Sequence, residues 1–573
     1  MHYVALATDY DGTIAHDGMV DPPTLDALQR LRMSGRKLIL VTGRELDDLR
    51  RVTPDLDVFD WIVAENGALL YSPATREERL LAPAPPAAFV AALEDAGVSP
   101  LSVGRAIVAT WELNEGKVLA AIHALGLDLQ ITFNKGAVMV LPGGVSKESG
   151  LRAALAMLEI SPRNVVAVGD AENDFAFFTL CGMPVAVQNA LTVLKQAAML
   201  VTEGARGAGV AELIGRMIAT DLAEFDPANP RQSVTLAEAM EPGAEPLSYL
   251  PARGALLVAG SSGGGKTTLT TGLLERLGAA GFQALVIDPE GDYDDFEGCI
   301  CLGTAQDAPA VDTVVDVLCK TGTGVSVNLV GVKLDDRPAF LAALMPELVA
   351  LRARTGRPHL IVVDEAHHLL PGDPGGAPDP LPRALDGMMF VTVRPEALAA
   401  RVATGVERVL AVGAEAGQAI EIFCRMAGWP APARTEPPLL EPVPTGELLT
   451  LSRANGLRRM RMIPGCSTLQ RHVRKYAEGN LEDDQAFFFR GPHAALNLRA
   501  GNLTLFLQMA DGVDEATWAF HRDAGDYSRW IGLSIKDREL AEEVAAVERG
   551  GLAFPADRDA IRAMIERRYT SPA

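Results

Sequence analysis

Short apolar runs with no polar alternation recur along this chain, each closing on a charged or hydroxyl residue. Val4-Ala5-Leu6-Ala7 meets Thr8-Asp9, Lys37-Leu38-Ile39-Leu40-Val41 meets Thr42, Trp61-Ile62-Val63-Ala64 meets Glu65, and Asn164-Val165-Val166-Ala167-Val168 meets Gly169-Asp170. Runs without a polar face predict strands buried on both sides, as in a parallel sheet. Between them apolar positions return at helical spacing, as with Leu25, Leu28 and Leu31 in segment 22–34 and Leu151, Leu155 and Leu158 after Lys147. The pattern resumes at Gly254–Ala259, Val286-Ile287 and His359–Val363, with a helix through Leu269, Leu273, Leu274 and Leu277. Late in the chain, Ala486–Phe489 predicts a buried strand. Leu503, Phe506, Leu507 and Met509, then Trp518, Phe520 and His521, carry helical spacing, and a last helix spans 558–568.

Prolines divide this α/β chain. Pro83, Pro85 and Pro86 introduce a change of texture over 83–142, which reads as a small inserted α+β lobe. Residues 221–250, with Pro227, Pro230, Pro242 and Pro246, read as a linker with one helix. A proline-rich junction at 430–444 precedes a further unit, 445–573, that is mostly α or α+β. The expected units are 1–220 (core 1–82 and 143–220, lobe 83–142), the linker 221–250, 251–440 and 445–573.

At 573 residues the chain exceeds a single core. A formal net charge of −22 argues against general attraction to nucleic acid or anionic lipid, so a nucleic-acid partner is left open but not favoured. Arg453, Arg458, Arg459, Arg461, Arg471, Arg474 and Lys475 form a local basic stretch, expected as a solvated helix face. The six cysteines fit neither a zinc site nor a disulfide framework. With no leader and no long apolar run, the expectation is a cytoplasmic protein without a membrane partner. Homo-oligomerisation is left open.

Asp9 and Asp11 stand at the end of the first strand, two residues apart and so expected to share one small space. Like charges that close are costly unless a cation or a shared proton intervenes, and Mg²⁺ suits carboxylate and phosphate oxygens. Thr42, beside Gly43, can donate to a phosphate oxygen or cap the helix beginning at Glu45. Asp170 and Asp174 bring a further acidic cluster to the same edge, and Lys147 opens a helix nearby.

Asp-x-Asp-Gly-Thr at 9–13, Val-Thr-Gly-Arg at 41–44, the helix-opening Lys147 and Gly-Asp-x-x-Asn-Asp at 169–174 resemble, in order and spacing, the four motifs of the haloacid dehalogenase superfamily. The lobe between the second and third motifs is similar to that of the Cof-type and archaeal phosphoglycolate phosphatases, the type IIB layout. The resemblance implies a Rossmann-like core with a small α+β cap and a Mg²⁺-dependent phosphomonoester hydrolase acting on a small phosphorylated metabolite. Asp9 would be the nucleophile that forms an aspartyl-phosphate, and Asp11 the acid and then the base. Thr42 and Lys147 would hold phosphoryl oxygens. Asp9, the carbonyl of Asp11 and Asp170 would hold the metal, with Asn173 and Asp174 positioning Lys147 or completing the outer metal shell. Lys135 is a rival for the lysine role, and its place in the lobe favours Lys147.

A second phosphate motif follows. Gly260-Ser261-Ser262-Gly263-Gly264-Gly265-Lys266-Thr267-Thr268 lies between a strand and a helix, the setting a P-loop requires. Its backbone N–H groups favour the phosphates of ATP, Lys266 reaches the β/γ-phosphates and Thr267 a Mg²⁺. Asp364 would assist the metal and Glu365 would polarise water, which favours hydrolysis. Segment 254–413 also resembles the HerA/FtsK-like division of P-loop ATPases, which implies a RecA-like domain. Val286–Tyr293 is similar to the second strand and turn of that division, and Val391–Pro395 to its sensor strand. Val393 stands where that family usually has glutamine, which weakens a DNA-translocating reading, and Arg394 is a candidate for contact with a neighbouring nucleotide. His367 and His368 read as polar or packing positions. Two functions follow: a phosphatase regulated by an ATPase module, or a HerA-like motor or switch whose first half senses a phosphorylated ligand.

Overall fold

The computed structural model describes residues 1–570 apart from 54, 135, 295, 305, 373–378, 433–441, 466–480, 482–484, 493–494 and 536. Lys135, Cys466, Arg471, Arg474 and Lys475 therefore lie outside the described residues. The first sheet has eight strands in the order Leu200–Val201, Met183–Ala186, Val165–Gly169, Ala5–Thr8, Lys37–Val41, Trp61–Ala64, Leu69–Ser72 and Glu77–Leu80. The first six are parallel, and the last two turn back antiparallel. Ala5–Thr8 is central and fully buried, because all four of its side chains are small or apolar apart from a threonine that bonds its own backbone. Its neighbours are in register, with Thr8 opposite both Val168 and Leu40, so three strands end together at one edge.

The inserted lobe is a four-stranded antiparallel sheet, Leu129–Asn134, Ala137–Pro142, Val108–Trp111 and Ser102–Val103, with helices Ala87–Asp95 and Glu115–Leu125. Alternation along Ala137–Pro142 sorts its faces. Val140 packs with Phe89, Leu93, Val118 and Ile122 under the helices. Met139 and Leu141 pack with Ala68, Ile107 and Val145 toward the core.

The second sheet has eleven strands. Seven are parallel: Arg408–Val412, Ala255–Gly260, Met388–Thr392, Leu360–Val363, Ala284–Asp288, Gly324–Asn328 and Cys299–Leu302. One strand, Met388–Thr392, thus separates the strand of the glycine loop from the strand ending at Asp364. The four antiparallel strands on the other flank overturn two expectations. Residues 221–250 are not a linker with a helix: Val234–Ala239 and Leu247–Tyr249 are edge strands of this sheet. Nor do residues 445–573 form one separate unit, because Glu447–Ser452 and Gly456–Met462 pair with each other and with Arg408–Val412 and Val234–Ala239. Strands whose partners lie some two hundred residues away carry no local signal of their pairing. Three residues of the basic stretch lie on strand rather than helix: Arg458, Arg459 and Arg461 sit on Gly456–Met462, and Arg459 pairs with Glu447 at 2.6 Å.

The C-terminal helices Leu503–Gly512, Glu515–Asp523, Asp526–Trp530, Arg538–Arg549 and Ala556–Ile565 pack with Phe487–Phe489 around Phe506, Trp518, Tyr527 and Trp530. The aromatic residues near 526–530 are therefore core rather than surface. Among the described residues, no helix is long and apolar enough to cross a membrane.

The two large sheets meet at the ends where their parallel strands begin. Asn164 Nδ2 donates to the His2 carbonyl at 2.8 Å, and Asn164 Oδ1 lies 2.9 Å from His359 Nε2. The Gln283 amide donates to His359 Nδ1 at 2.9 Å, which leaves the proton of a neutral ring on Nε2, facing Asn164. Burial holds the pKa of His359 well below the usual value, in keeping with that neutral form. Arg357 reaches across to the Glu159 carbonyl at 2.7 Å, and Arg163 lies over Phe282. Since strands of both sheets start at this junction, the strand ends that carry Asp9 and Asp364 lie on the far sides of the two sheets.

Candidate active site

Asp9 follows Thr8 at the strand end, and its amide donates to the Val168 carbonyl, so its placement is set by the neighbouring strand. Lys147 is the first residue of helix Lys147–Met157, held by a reciprocal bond pair between Ser146 and Ser149. A cation at a helix N-terminus is unfavourable by itself. Here Lys147 Nζ is buried and donates to Asp9 Oδ1 and Asp174 Oδ1, each at 2.6 Å. Oxygens of Asp9, Asp170 and Asp174 all lie within 4.8 Å of one another. Asp174 Oδ2 accepts the amides of Asp170 and Ala171 at 2.8 and 2.9 Å, so this residue shapes the turn that presents Asp170.

Three buried carboxylates face one lysine. Burial first, then the charge of Asp174, pushes the Asp9 carboxyl up to about 7 against the pull of Lys147. The surplus negative charge is what a divalent cation relieves, and an all-oxygen donor set suits Mg²⁺. The residues present therefore fit that metal.

Asp11 shares the expected space with Asp9 and has an ion-pair partner of its own. Asp9 and Asp11 line one cavity of about 130 Å³ with Gly43, Arg44, Met139, Ala171 and Asn173. Yet Arg44 grips the Asp11 carboxylate with Nε and Nη2, each at 2.7 Å, and that carboxylate is outside the acidic trio. The chain stops being extended after Thr8, so the two-residue alternation does not carry through to Asp11. Thr42 is buried, and its hydroxyl accepts the Arg44 amide at 3.1 Å, which fixes the turn bearing the guanidinium.

Two contributors escaped sequence reasoning. Thr13 Oγ1 donates to Asp9 Oδ2 and Asp170 Oδ1, both at 3.3 Å, and so bridges two of the three acids. Glu65, fully buried, accepts the amides of Arg105, Ala106 and Ile107, tying the lobe to the core. Its position before Asn66-Gly67 at a strand end was the available signal. Gly67 has φ +106°, and a Cβ there would lie 1.9 Å from the Ser146 carbonyl oxygen, against the start of the Lys147 helix. Gly67→Ala should destabilise the first unit by about 3 kcal/mol, since backbone must shift on both sides of the contact. A denaturation midpoint equal to that of the unaltered protein would show that the contact can relax.

At the glycine loop, Gly260, Gly263 and Gly265 have φ of +154°, +76° and +102°, which only glycine adopts readily. Gly264 is packed against the Gly413 backbone. Lys266 Nζ donates to the carbonyls of Gly260 and Ser261 at 3.1 Å; Thr267 is buried and Thr268 exposed on helix Lys266–Ala279. The loop's N–H groups, helix N-terminus and lysine suit a nucleotide triphosphate. Asp364 is buried beside Glu365, Asp288 and Asp292, and burial followed by those charges raises its pKa well above the usual range. Asp288 is pushed up to about 7, chiefly by burial and then by Asp292. This surplus of acids again fits a divalent cation. His367 is a polar position, as expected: Nδ1 lies 3.1 Å from Thr392 Oγ1, at the end of the strand before Val393, and 3.3 Å from Glu365 Oε2.

Two parts of the chain match known families. Residues 6–100 and 121–214 match a family described as haloacid dehalogenase-like hydrolase, and residues 251–388 match one described as AAA domain. Phosphoglycolate phosphatase 2 of Saccharolobus solfataricus is 27% identical over 221 residues, 38% of this chain and 92% of that protein. The phosphoglycolate phosphatase of Methanothermobacter thermautotrophicus is 29% identical over 222 residues, 37% of this chain and 98% of that protein. A solved haloacid dehalogenase-like hydrolase from Bacteroides thetaiotaomicron, 20% identical, covers 38% of this chain and 99% of its own, with a TM-score of 0.33. The chain thus joins a haloacid dehalogenase-like hydrolase, in its first part, to a P-loop domain of the AAA type.

Proposed function

We propose that the protein is a Mg²⁺-dependent phosphomonoesterase acting through Asp9, with a P-loop module that hydrolyses ATP and regulates it. The observation that carries this reading is the convergence of Asp9, Asp170 and Asp174 around Lys147. Asp9 attacks phosphorus while the leaving alkoxide takes a proton from Asp11, giving an aspartyl-phosphate and a free alcohol. Asp11 then removes a proton from the water that attacks this intermediate, releasing phosphate and restoring Asp9. Lys147 neutralises phosphoryl oxygens, and Thr42 keeps Arg44 beside them. Asp9, Asp170 and the Asp11 carbonyl would hold Mg²⁺, which when bound screens the charge between nucleophile and phosphate. The fork from Arg44 fixes the Asp11 side chain at the wall of the cavity that Asp9 also lines.

The small cavity roofed by Met139 favours a small phosphomonoester, and the relatives' activity points to phosphoglycolate. In the second module, Lys266 and the glycine loop would hold ATP, Thr267 and Asp364 its Mg²⁺, and Glu365 the attacking water. A panel of phosphomonoesters assayed with and without Mg²⁺, ATP and DNA tests both halves. Metal-dependent release of phosphate from small substrates, altered by ATP, is expected. No turnover of any monoester, with ATP hydrolysis stimulated by DNA, would replace this reading by a motor.

A further inference from the structure

The order of strands distinguishes the two flanks of the glycine loop. Its strand, Ala255–Gly260, lies between Met388–Thr392 and Arg408–Val412. The strands that lead to Asp364 and Asp288 both lie beyond Met388–Thr392, so a cation held by those acids, and the β- and γ-phosphates it bridges, belong on that flank. The rest of a nucleotide then leaves the loop toward Arg408–Val412 and the antiparallel strands Glu447–Ser452 and Gly456–Met462.

That second flank closes on the loop itself. A Cβ on Gly413, which follows Arg408–Val412, would lie 3.0 Å from Gly264 Cα, and one on Gly265 would lie 3.4 Å from Met462 Cε. From Met462 the chain runs along helix Lys266–Ala279. A Cβ on Gly272 would lie 2.7 Å from the Ile463 carbonyl oxygen and 2.8 Å from the Gly465 amide nitrogen, so backbone packs on backbone there. Arg276 Nη1 donates to the Ile463 carbonyl at 3.1 Å and its Nε to the Thr235 carbonyl at 2.9 Å, which fixes the segment from its far side.

Residues 265, 268, 272 and 276 follow at three- and four-residue steps and so share one stripe of the helix. Met462 meets the stripe at its head, and Ile463 and Gly465 cover it at Gly272. Thr268, between these two contacts, is exposed, as is Pro464 on the covering segment. The open step begins one residue past Lys266 and Thr267, where the phosphates end. Its neighbours are a thioether and a pyrrolidine ring, which suit the dispersion contacts of a flat base.

We propose that the nucleoside of the bound triphosphate lies over Thr268, with Met462 and Pro464 as its side wall. This rests on the reading of the glycine loop as a nucleotide site. It gives the antiparallel flank, which reaches back to Val234–Ala239, a part in that site.

Two photoreactive ATP analogues test this polarity on the full chain with Mg²⁺: 8-azido-ATP, with its azide on the base, and an ATP γ-azidoanilide. After irradiation and tryptic digestion, 8-azido-ATP should mark the peptide 462–471, and excess ATP should cut that label at least tenfold. The γ-linked analogue should instead mark peptides that carry Asp292 or Asp364. Base-linked label on the Asp292 or Asp364 peptides, equal marking of 462–471 by both analogues, or ATP binding with no label on 462–471 would each overturn the assignment. Should equilibrium dialysis detect no ATP binding at all, the reading of the glycine loop falls, and this assignment with it.

Discussion

Phosphomonoester hydrolysis should fall by more than about 1000-fold in Asp9→Asn, with ATP binding unchanged. Asparagine keeps the shape and an oxygen to accept from Lys147, but its amide is not a nucleophile, so the covalent route closes. The same change removes one of three buried negative charges around a single lysine. Asp9 already binds its proton more tightly than an exposed carboxylate, chiefly through burial and the charge of Asp174. In metal-free buffer the melting temperature should therefore hold or rise, which separates lost chemistry from lost structure. Retained turnover would remove Asp9 from the nucleophile's role. A lower melting temperature would mean that its contact with Lys147 outweighs the repulsion.

Lys266→Ala should abolish ATP hydrolysis while leaving the ATP-free phosphatase rate as it was. The first effect follows from removing the one cation of the glycine loop, whose ammonium now sits on the Gly260 and Ser261 carbonyls. The second follows from geometry: the two edges lie on the far sides of sheets that meet where their strands begin. Asn164 and His359 nonetheless join the feet of the strands that end at Asp170 and Asp364. A strain arising at one acid thus has a continuous backbone path of two short strands and one hydrogen bond to the other. If ATP changes phosphatase turnover in the unaltered protein and not in Lys266→Ala, the P-loop half regulates the first. Identical phosphatase rates with and without ATP in both proteins would end the regulatory reading.

The strand ends that carry Asp9, Thr42, Asp170 and Asp364 were legible because a strand buried on both faces has no polar alternation, and a polar or charged residue closing such a run stands out. The glycine loop was legible for a related reason, since positive φ at Gly260, Gly263 and Gly265 restricts the residues that can stand there. Asp11 shows where such reading stops. Two-residue alternation holds only while the chain stays extended, and nothing in it foretold that Arg44 would grip the Asp11 carboxylate at the wall of the cavity shared with Asp9.

The amino-acid sequence by itself determined the two strand edges that carry the acidic and glycine-rich motifs, the inserted lobe and the buried strands beneath them, because these depend on neighbours within a few residues. Only the tertiary structure decided that Val234–Ala239 and Gly456–Met462 share a sheet, that Thr13 bridges two acids, and that Asn164 meets His359. Each of these joins residues brought together by packing, and the free energy of such a contact depends on burial and geometry that no local run of residues encodes.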